Sequence, residues 1–252
     1  MGVKDFVKVF NSIDHSKDNY TKFNDFLTLA YSALAKKGAT GERAEALEAD
    51  YMKVVGRYKN KEDITRMSEL MAMTFLSMGQ RIDFLGSVAG ELEILNSNLG
   101  QFFTPYSVCR LMAGINFAGC EKIIEEKGFI TVSEPACGAG AMLLALADDL
   151  EDKGFDPMTD LWVEATDVAE MPYRMCFIQL SCRGLSGRIW RGNTLSMEMQ
   201  ENALLLSSPF FFEKNGSPFP KNKVSEGVIE SDLIEAPVVM PQPVFGNQLS
   251  LF

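Results

Sequence analysis

Apolar residues in the first hundred positions recur at intervals of three and four, which is the spacing of one face of a helix. Glycines at 38 and 41 interrupt the pattern, and no strand-like alternation appears. We therefore predict a helical module over residues 1–98 whose methionine-rich stripe is core. The predicted helical segments cover 6–13, 23–34, 44–55, 64–78 and 82–95.

The pattern changes after residue 98, where short β-rich runs begin to alternate with helical segments. Thr104 and Pro105 predict a helix start, with Thr104 as the N-cap and Pro105 as the first helical residue. Alternating strands and helices predict an α/β, doubly wound, mostly parallel Rossmann-like sheet over residues 99–212. Strands are predicted at 129–132, 161–166, 188–190 and 203–206, and helices at 141–150 and 170–183.

Composition shifts again at residue 213, where proline, asparagine, glycine, serine and charge dominate. Such a composition predicts a mostly extended tail over 213–252 rather than a second domain. No run of apolar residues is long enough for a membrane helix, and the amino terminus does not look like a secretory signal.

Net charge is −10, so the overall field opposes a polyanion and predicts only a weak grip on DNA by this chain alone. One stretch is different, because the only charges between residues 170 and 198 are arginines. They form either a solvated face or a patch that contacts phosphates, and the sequence leaves both interpretations open. These residues are Arg174, Arg183, Arg188 and Arg191.

Five cysteines without a CxxC motif and a single histidine, His15, limit the available chemistry. We expect no disulfide framework and no metal site, and a reduced cytoplasmic compartment fits best. With only His15 available, Ser-His-Asp and Cys-His catalysis are not expected either.

Three successive strand ends carry candidate ligand-binding residues. The loop 134–140 follows a strand and opens a helix, Asp167 ends the second strand, and Asn193 ends the third. In such sheets a glycine loop, a carboxylate and an amide at neighbouring strand ends suit an adenosine-type ligand. Taken singly, they could instead be a plain turn, a helix cap and a turn residue.

These residues resemble a known family. The strings Gly100-Gln101-Phe102-Phe103-Thr104-Pro105, Glu134-Pro135-Ala136-Cys137-Gly138-Ala139-Gly140 and Gly192-Asn193-Thr194-Leu195, together with Asp167, look like those of N6-adenine DNA methylases. The likeness covers roughly 60–212 and is greatest to the modification subunits of type I restriction systems. It implies S-adenosyl-L-methionine as cofactor, with Asp167 on the ribose and Asn193 on the adenine. The remaining implied cofactor-binding residues are Gln101, Phe103, Thr104, Pro105, Glu134, Pro135, Ala136, Cys137, Gly138 and Gly140.

The catalytic motif of that family, Asn/Asp-Pro-Pro-Tyr/Phe, is altered. The matching segment reads Ser207-Ser208-Pro209-Phe210, so these four residues would carry catalysis in degenerate form. Losing an electrostatic stabiliser of this kind typically costs ~10²–10³ in rate. The sheet is also expected to be truncated, because the chain stops about where the family adds further strands. The aromatic residues at 210–212 could equally be core residues.

The last five residues resemble the short peptide by which bacterial replication and repair proteins dock on the ring-shaped sliding clamp. Gln248 would supply hydrogen bonds, Leu251 and Phe252 would enter an apolar pocket, and Leu249 would pack beside them. The proline-rich stretch 237–243 would be a stiff spacer. The alternative is a hydrophobic tail that folds back on the protein's own surface.

The leading hypothesis is a SAM-dependent DNA methyltransferase of the adenine-N6 type, which could need a homodimer or a specificity partner. A second hypothesis is a catalytically weak or inactive SAM-binding module that docks on replication or restriction-modification proteins. A third is a SAM-dependent enzyme acting on RNA, protein or a small molecule.

Overall fold

A computed structural model describes residues 2–94, 104–219 and 248–250. The amino-terminal segments are helical, as their spacing predicts, and several begin at a side-chain cap. Asp18, for example, accepts a hydrogen bond from the Thr21 amide at 2.8 Å. The helices are α1 (Val3–Asn11), α2 (Asn19–Ala35), α3 (Gly41–Val55), α4 (Lys61–Ser77) and α5 (Phe84–Glu91), with 3₁₀ turns at Lys36–Gly38 and Met78–Gln80.

Strands and helices alternate in the second half of the chain. The helix expected after Thr104 begins one residue later than predicted, because Pro105 and not Thr104 is its N-cap. In order, the elements are α6 (Tyr106–Asn116), α7 (Cys120–Lys127), β1 (Ile130–Glu134), α8 (Ala141–Asp152), α9 (Pro157–Asp160), β2 (Leu161–Asp167), α10 (Glu170–Arg183), β3 (Ser186–Asn193), β4 (Glu198–Leu204), α11 (Ser208–Asn215) and β5 (Gln248–Ser250).

Within the described residues the strands form one sheet in the order β4-β3-β2-β1-β5. The β1–β2, β2–β3 and β1–β5 pairs are parallel, so the α/β, mostly parallel fold class is confirmed. The register places Ile130 beside Leu161 and Asp167 beside Arg191. Because β1, β2 and β3 are parallel, their carboxyl ends lie along the same edge of the sheet, which we call the crevice. The edge formed by their amino-terminal ends is called the opposite edge.

The fourth strand differs from the prediction in both position and direction. It was expected at 203–206 in a mostly parallel sheet, but β4 begins at Glu198 and runs antiparallel to β3. Only residues 194–197 separate the two strands, and so short a connection allows a hairpin but not a parallel crossover. The chain therefore turns back at the crevice and returns to the opposite edge of the sheet.

The helical module packs on the sheet domain through α10, in one continuous apolar core. The hydroxyls of Tyr31 on α2 and Tyr173 on α10 are hydrogen-bonded at 2.6 Å, and the Tyr31 ring meets Phe177 edge-on. Arg43 on α3 donates to the carbonyl of Asn202 on β4. The division into segments 1–98, 99–212 and 213–252 stays a prediction.

Among the described helices, none combines the length and the hydrophobicity that a membrane crossing requires.

Candidate functional site

The loop 134–140, here called the glycine loop, carries the chain from β1 into α8 at the crevice. Gly138 and Gly140 have φ values of +54° and +93°, which L side chains rarely adopt. The Gly140 amide donates to the Cys137 carbonyl at 2.8 Å, which closes the turn. A Cβ added at Gly140 would lie 3.1 Å from the sulfur of Cys176 on α10. The turn therefore requires glycine for its backbone angles and for this close approach.

Asp167 joins the glycine loop to the end of β2. Its Oδ2 accepts a hydrogen bond from the Gly138 amide at 2.9 Å, and its Oδ1 accepts one from the Ala169 amide at 2.9 Å. Burial raises the pKa of Asp167, while these backbone bonds act in the opposite direction. A carboxylate has about four acceptor positions, so each oxygen can still accept a bond from a ligand hydroxyl.

Glu134, the last residue of β1, is a buried carboxylate that is only partly satisfied. It is 2% exposed, and its Oε1 accepts from the Ala136 amide at 3.1 Å. Its Oε2 is buried and has no hydrogen-bond partner among the described residues. Burial raises the pKa of Glu134 to about 7, and the nearby charge of Asp167 acts in the same direction. An orphaned carboxylate oxygen of this kind is suited to receive a cationic group of a ligand.

The end of β3 lies against the glycine loop. Thr194 donates from Oγ1 to the Pro135 carbonyl at 2.7 Å, which fixes the third strand end beside the first. The Asn193 Oδ1 accepts from the amides of Leu195 at 2.9 Å and Ser196 at 3.3 Å. Asn193 thus shapes a turn, as its alternative interpretation held, and its NH₂ group is what it can offer to a ligand.

Sequence reasoning missed two exposed apolar side chains beside these polar groups. Val168 is 64% exposed and directly follows Asp167, whereas Leu195 is 96% exposed and lies two residues beyond Asn193. Aliphatic side chains this exposed next to hydrogen-bonding groups suit the faces of a planar ring. The sequence could have indicated them, because each follows a polar residue at a strand end within two positions.

Other predicted cofactor residues lie close to this region or outside the described chain. Thr104 and Pro105 are exposed at the start of α6, which packs on α8, the helix that follows the glycine loop. Cys137 is buried, and a hydrogen bond with Cys176, together with burial, raises the pKa of its thiol. Gln101 and Phe103 fall outside the described residues.

The degenerate segment Ser207–Phe210 does not reach the crevice. Ser208 is fully buried, and its Oγ accepts from the Gly187 amide at 3.0 Å and lies 3.1 Å from the Gly187 carbonyl, at the amino-terminal end of β3. This places the segment at the edge of the sheet opposite the crevice. The prediction that Ser207, Ser208, Pro209 and Phe210 stand in for a catalytic motif beside the cofactor is therefore wrong, and the cause is the antiparallel course of β4.

The aromatic residues that follow are mainly structural. Phe211 is fully buried and its ring lies 5.0 Å from those of Phe129 and Trp162, so the core interpretation holds for it. Phe210 is 56% exposed on the same helix.

The four arginines of residues 170–198 are dispersed and do not form a phosphate patch. Arg183 pairs with Asp148 and Glu151, and Arg191 pairs with Glu201. Arg174 is 8% exposed and bound to Glu170 and Thr28. Arg188 lies 5.4 Å from the centre of the Trp190 ring. Most of these charges are therefore balanced locally by acids, and neither sequence interpretation describes them.

The carboxyl-terminal peptide is described over Gln248–Ser250 only. These residues form β5, with Gln248 beside Thr131 and Ser250 beside Ser133 of β1. This backbone arrangement corresponds to the alternative of a tail that folds back on the protein. Leu251 and Phe252 lie outside the described residues, and Gln248 and Leu249 are described as backbone only.

The residues of the crevice fit an adenosine-bearing cationic cofactor better than a metal ion. Around it lie an orphaned buried carboxylate oxygen, a second carboxylate with free acceptor positions and a glycine turn at the start of a helix. Across residues 2–94, 104–219 and 248–250, no group of three or more His, Cys, Asp or Glu side chains could hold a metal.

Comparison with protein-family models finds one match to this region. Residues 91–214 match the model of the N-6 DNA Methylase family. The matched segment is similar to an N-6 DNA methylase domain, for which S-adenosyl-L-methionine is the expected cofactor. Comparison with curated proteins finds no match.

Two solved structures are similar to this chain. One is a candidate class I S-adenosylmethionine-dependent methyltransferase from Listeria monocytogenes, with 14% identity and a TM-score of 0.39, covering 85% of this chain and 68% of the other. The second is the methyltransferase subunit of a type I restriction-modification system from Streptococcus thermophilus, with 14% identity and a TM-score of 0.38. It covers 79% of this chain, which spans only 59% of the length of that subunit. At these TM-scores neither likeness carries a conclusion about activity.

Proposed function

We propose that the crevice binds S-adenosyl-L-methionine for methyl transfer to the N6 atom of adenine in DNA. The observation that carries the proposal is the meeting of three strand ends. The Gly138 amide bonds Asp167 at 2.9 Å, and Thr194 bonds the Pro135 carbonyl at 2.7 Å. Ligands of open α/β sheets bind at the carboxyl ends of the strands, where these residues lie.

Each polar group of the crevice has a role in this proposal. The free Oε2 of Glu134 accepts from the ammonium group of the cofactor's methionine part, and Asp167 accepts from the ribose hydroxyls. Asn193 donates from its amide to the adenine edge, while Val168 and Leu195 cover the faces of the ring. When bound, the cofactor supplies an electrophilic methyl group, and the protein holds it in a fixed position.

A second function is favoured by one observation, the burial of Ser208 at the opposite edge of the sheet. At that position the segment does not supply the amide that activates the target nitrogen in the family motif. The chain would then bind the cofactor and transfer methyl groups slowly or only with a partner. A homodimer or a specificity subunit is the partner this candidate requires.

Two measurements on the full chain separate these functions. Calorimetry with S-adenosyl-L-methionine tests the crevice, with Asp167→Ala as the variant that should lose binding. Transfer of a tritiated methyl group to unmethylated genomic DNA tests turnover. Binding with transfer supports the methyltransferase, whereas binding without transfer supports the cofactor-binding module. Transfer to RNA or protein but not to DNA would contradict both.

The finer parts of the proposal concern setting and partners. We place the protein in the cytoplasm, in a restriction-modification context, with DNA bound weakly by the chain alone because of its net charge of −10. We also propose that Gln248, Leu249, Leu251 and Phe252 dock on the bacterial sliding clamp. Tethering on a ring already loaded on DNA would raise the local concentration without a basic surface.

In this proposal the chain releases β5 from β1, so that the terminal peptide can enter a pocket of the clamp. Titrating purified sliding clamp into the full chain tests this point. We expect binding that is lost in Leu251→Ala/Phe252→Ala and kept in Ser250→Ala. Equal binding by all three proteins, or by none, would contradict the docking role.

A further inference from the structure

Gln179, on α10, is a fully buried amide that uses every part of its side chain. Its Nε2 donates to the carbonyl of Ala139 at 2.8 Å and to Oδ1 of Asp83 at 2.8 Å. Its Oε1 accepts from the Leu85 amide at 2.9 Å. One side chain thus joins the glycine loop, α10 and the start of α5 in the helical module.

The hydrogen bond to the Ala139 carbonyl holds the part of the loop that contains its two positive-φ glycines. Ala139 lies between Gly138 and Gly140, both in the left-handed region. On one side the loop is held by Asp167, through the Gly138 amide at 2.9 Å. On the other side it is held by Gln179. Glycine adopts positive and negative φ about equally readily, so the conformation of the loop depends on the contacts that hold it, and these two side chains supply two of them.

The other end of the link is equally constrained. Asp83 caps α5 by accepting from the Gly86 amide at 3.0 Å through the same Oδ1 that Gln179 contacts. A Cβ at Gly86 would lie 1.9 Å from Oδ2 of Asp83, so the cap has no room for another residue there. Asp83 is 4% exposed. The amide of Gln179 is therefore hydrogen-bonded to a side chain whose own position is fixed by the helix cap.

We propose that Gln179 is a positioning residue for the cofactor, which makes the start of α5 a structural support of the glycine loop. The inference rests on the proposed function, because it assigns the loop to the cofactor. It predicts that the helical module influences cofactor affinity through one side chain, in addition to stabilising the fold.

The first test needs no cofactor. Cys137 is buried in the glycine loop, so its alkylation by N-ethylmaleimide reports opening of the loop, and buried Cys120 on α7 reports general unfolding. In Gln179→Met, which keeps the volume but loses the amide, we expect the ratio of Cys137 to Cys120 labelling to rise about tenfold. The control is Thr74→Val, which removes the 2.9 Å bond of a buried hydroxyl to the Leu70 carbonyl within α4. An unchanged ratio in Gln179→Met, or an equal rise in Thr74→Val, would overturn the proposal.

The second test separates positioning from stability. Gln179→Glu can still accept from the Leu85 amide but cannot donate to Ala139. Adding Asp83→Asn restores a donor between positions 83 and 179 and leaves the Ala139 carbonyl unpaired. We expect the double variant to regain most of the lost Tm while its Kd for S-adenosyl-L-methionine stays about tenfold weaker than that of the wild type. Recovery of Kd together with Tm would overturn the positioning role. If the wild type binds no cofactor, the proposed function fails, and the labelling ratio still decides whether Gln179 holds the loop.

Discussion

The glycine loop and the segment Ser207–Phe210, which the sequence assigned to one site, lie at opposite ends of the strands. The position of the glycine loop is determined by local sequence, whereas the position of Ser207–Phe210 is not. At the crevice, the glycine loop, Asp167 and Thr194 are linked by hydrogen bonds of 2.7–2.9 Å. At the opposite edge, Ser208 is buried against Gly187. The position of a motif inside a strand-loop-helix unit follows from the unit itself. The position of a motif after a hairpin depends on the direction of the hairpin's second strand.

The largest effect is expected for Asp167→Ala. The change removes the proposed ribose acceptor and leaves the amides of Gly138 and Ala169 without their partner. Hydrogen bonds to a charged group contribute about 1.5–3 kcal/mol each, so cofactor affinity should fall about 10²-fold or more. Calorimetry measures the loss. The cofactor affinity of Asp167→Asn, which keeps one acceptor oxygen, should lie between those of the wild type and Asp167→Ala. If Asp167→Ala binds as tightly as the wild type, the crevice is not the cofactor site.

The next largest effect is expected for Gly140→Ala, and Gly154→Ala is its matched control. Both glycines have similar φ, +93° and +88°, but only Gly140 faces a neighbour, the Cys176 sulfur at 3.1 Å from the added Cβ. The control should lose about 1–2 kcal/mol of unfolding free energy from the backbone alone. Gly140→Ala should lose more, and its cofactor affinity should fall as well. Denaturant unfolding of both variants checks this, and equal losses would mean that the contact with Cys176 is not restrictive.

Acidity provides a third test at the crevice. Burial raises the pKa of Glu134 to about 7 from 4.5, so the folded protein holds this proton more tightly than the unfolded chain. Stability from this group is present in full below pH 4.5 and is lost as pH rises through about 7. Cofactor binding needs the carboxylate, so affinity should rise between pH 6 and pH 8.

Glu134→Gln should flatten this trend in affinity and remove its share of the fall in stability. Calorimetry and thermal unfolding at several pH values measure the two effects. A pH dependence of binding that persists unchanged in Glu134→Gln would assign it to another group.

The opposite edge should respond in stability only. Ser208→Ala removes a buried hydroxyl that bonds the Gly187 backbone, and a loss of about 1–2 kcal/mol in unfolding free energy is expected. Cofactor affinity should stay within about twofold of the wild type. A large loss of affinity with intact folding would show that this edge communicates with the crevice.

The smallest effect is expected where the sequence alone would predict the largest gain. Ser207→Asn recreates the first residue of the family motif, but Ser207 is 8% exposed at the opposite edge. We expect methyl transfer to DNA to remain unchanged. A strong increase in tritium transfer would mean that the segment reaches the target base, contrary to the arrangement described above.

Much of the fold was accessible from sequence because its signals are local. The helical spacing of the first ninety residues and the strand-loop-helix unit around Gly138 each lie within a short window. The boundaries of α10, Glu170–Arg183, coincide with the prediction. The direction of β4 was missed because the strand was predicted at 203–206, whereas it begins at Glu198 and leaves a connection too short for a parallel crossover.

The site divides in the same way. Glu134, Asp167 and Asn193 could be predicted from their positions at strand ends. Gln179 could not, because its importance comes from bonds to residues 40 and 96 positions away. The balance of the arginines was also hidden, since Arg183 meets Asp148 only when α8 and α10 pack together.

The central claim is that the crevice, and not the opposite edge, holds the methyl donor. Titrating S-adenosyl-L-methionine into the wild type, Asp167→Ala and Ser208→Ala in one calorimetric series tests it most directly. We expect similar binding by the wild type and Ser208→Ala, with binding lost or weakened about 10²-fold in Asp167→Ala. Equal affinities in all three proteins, or loss in Ser208→Ala alone, would contradict it.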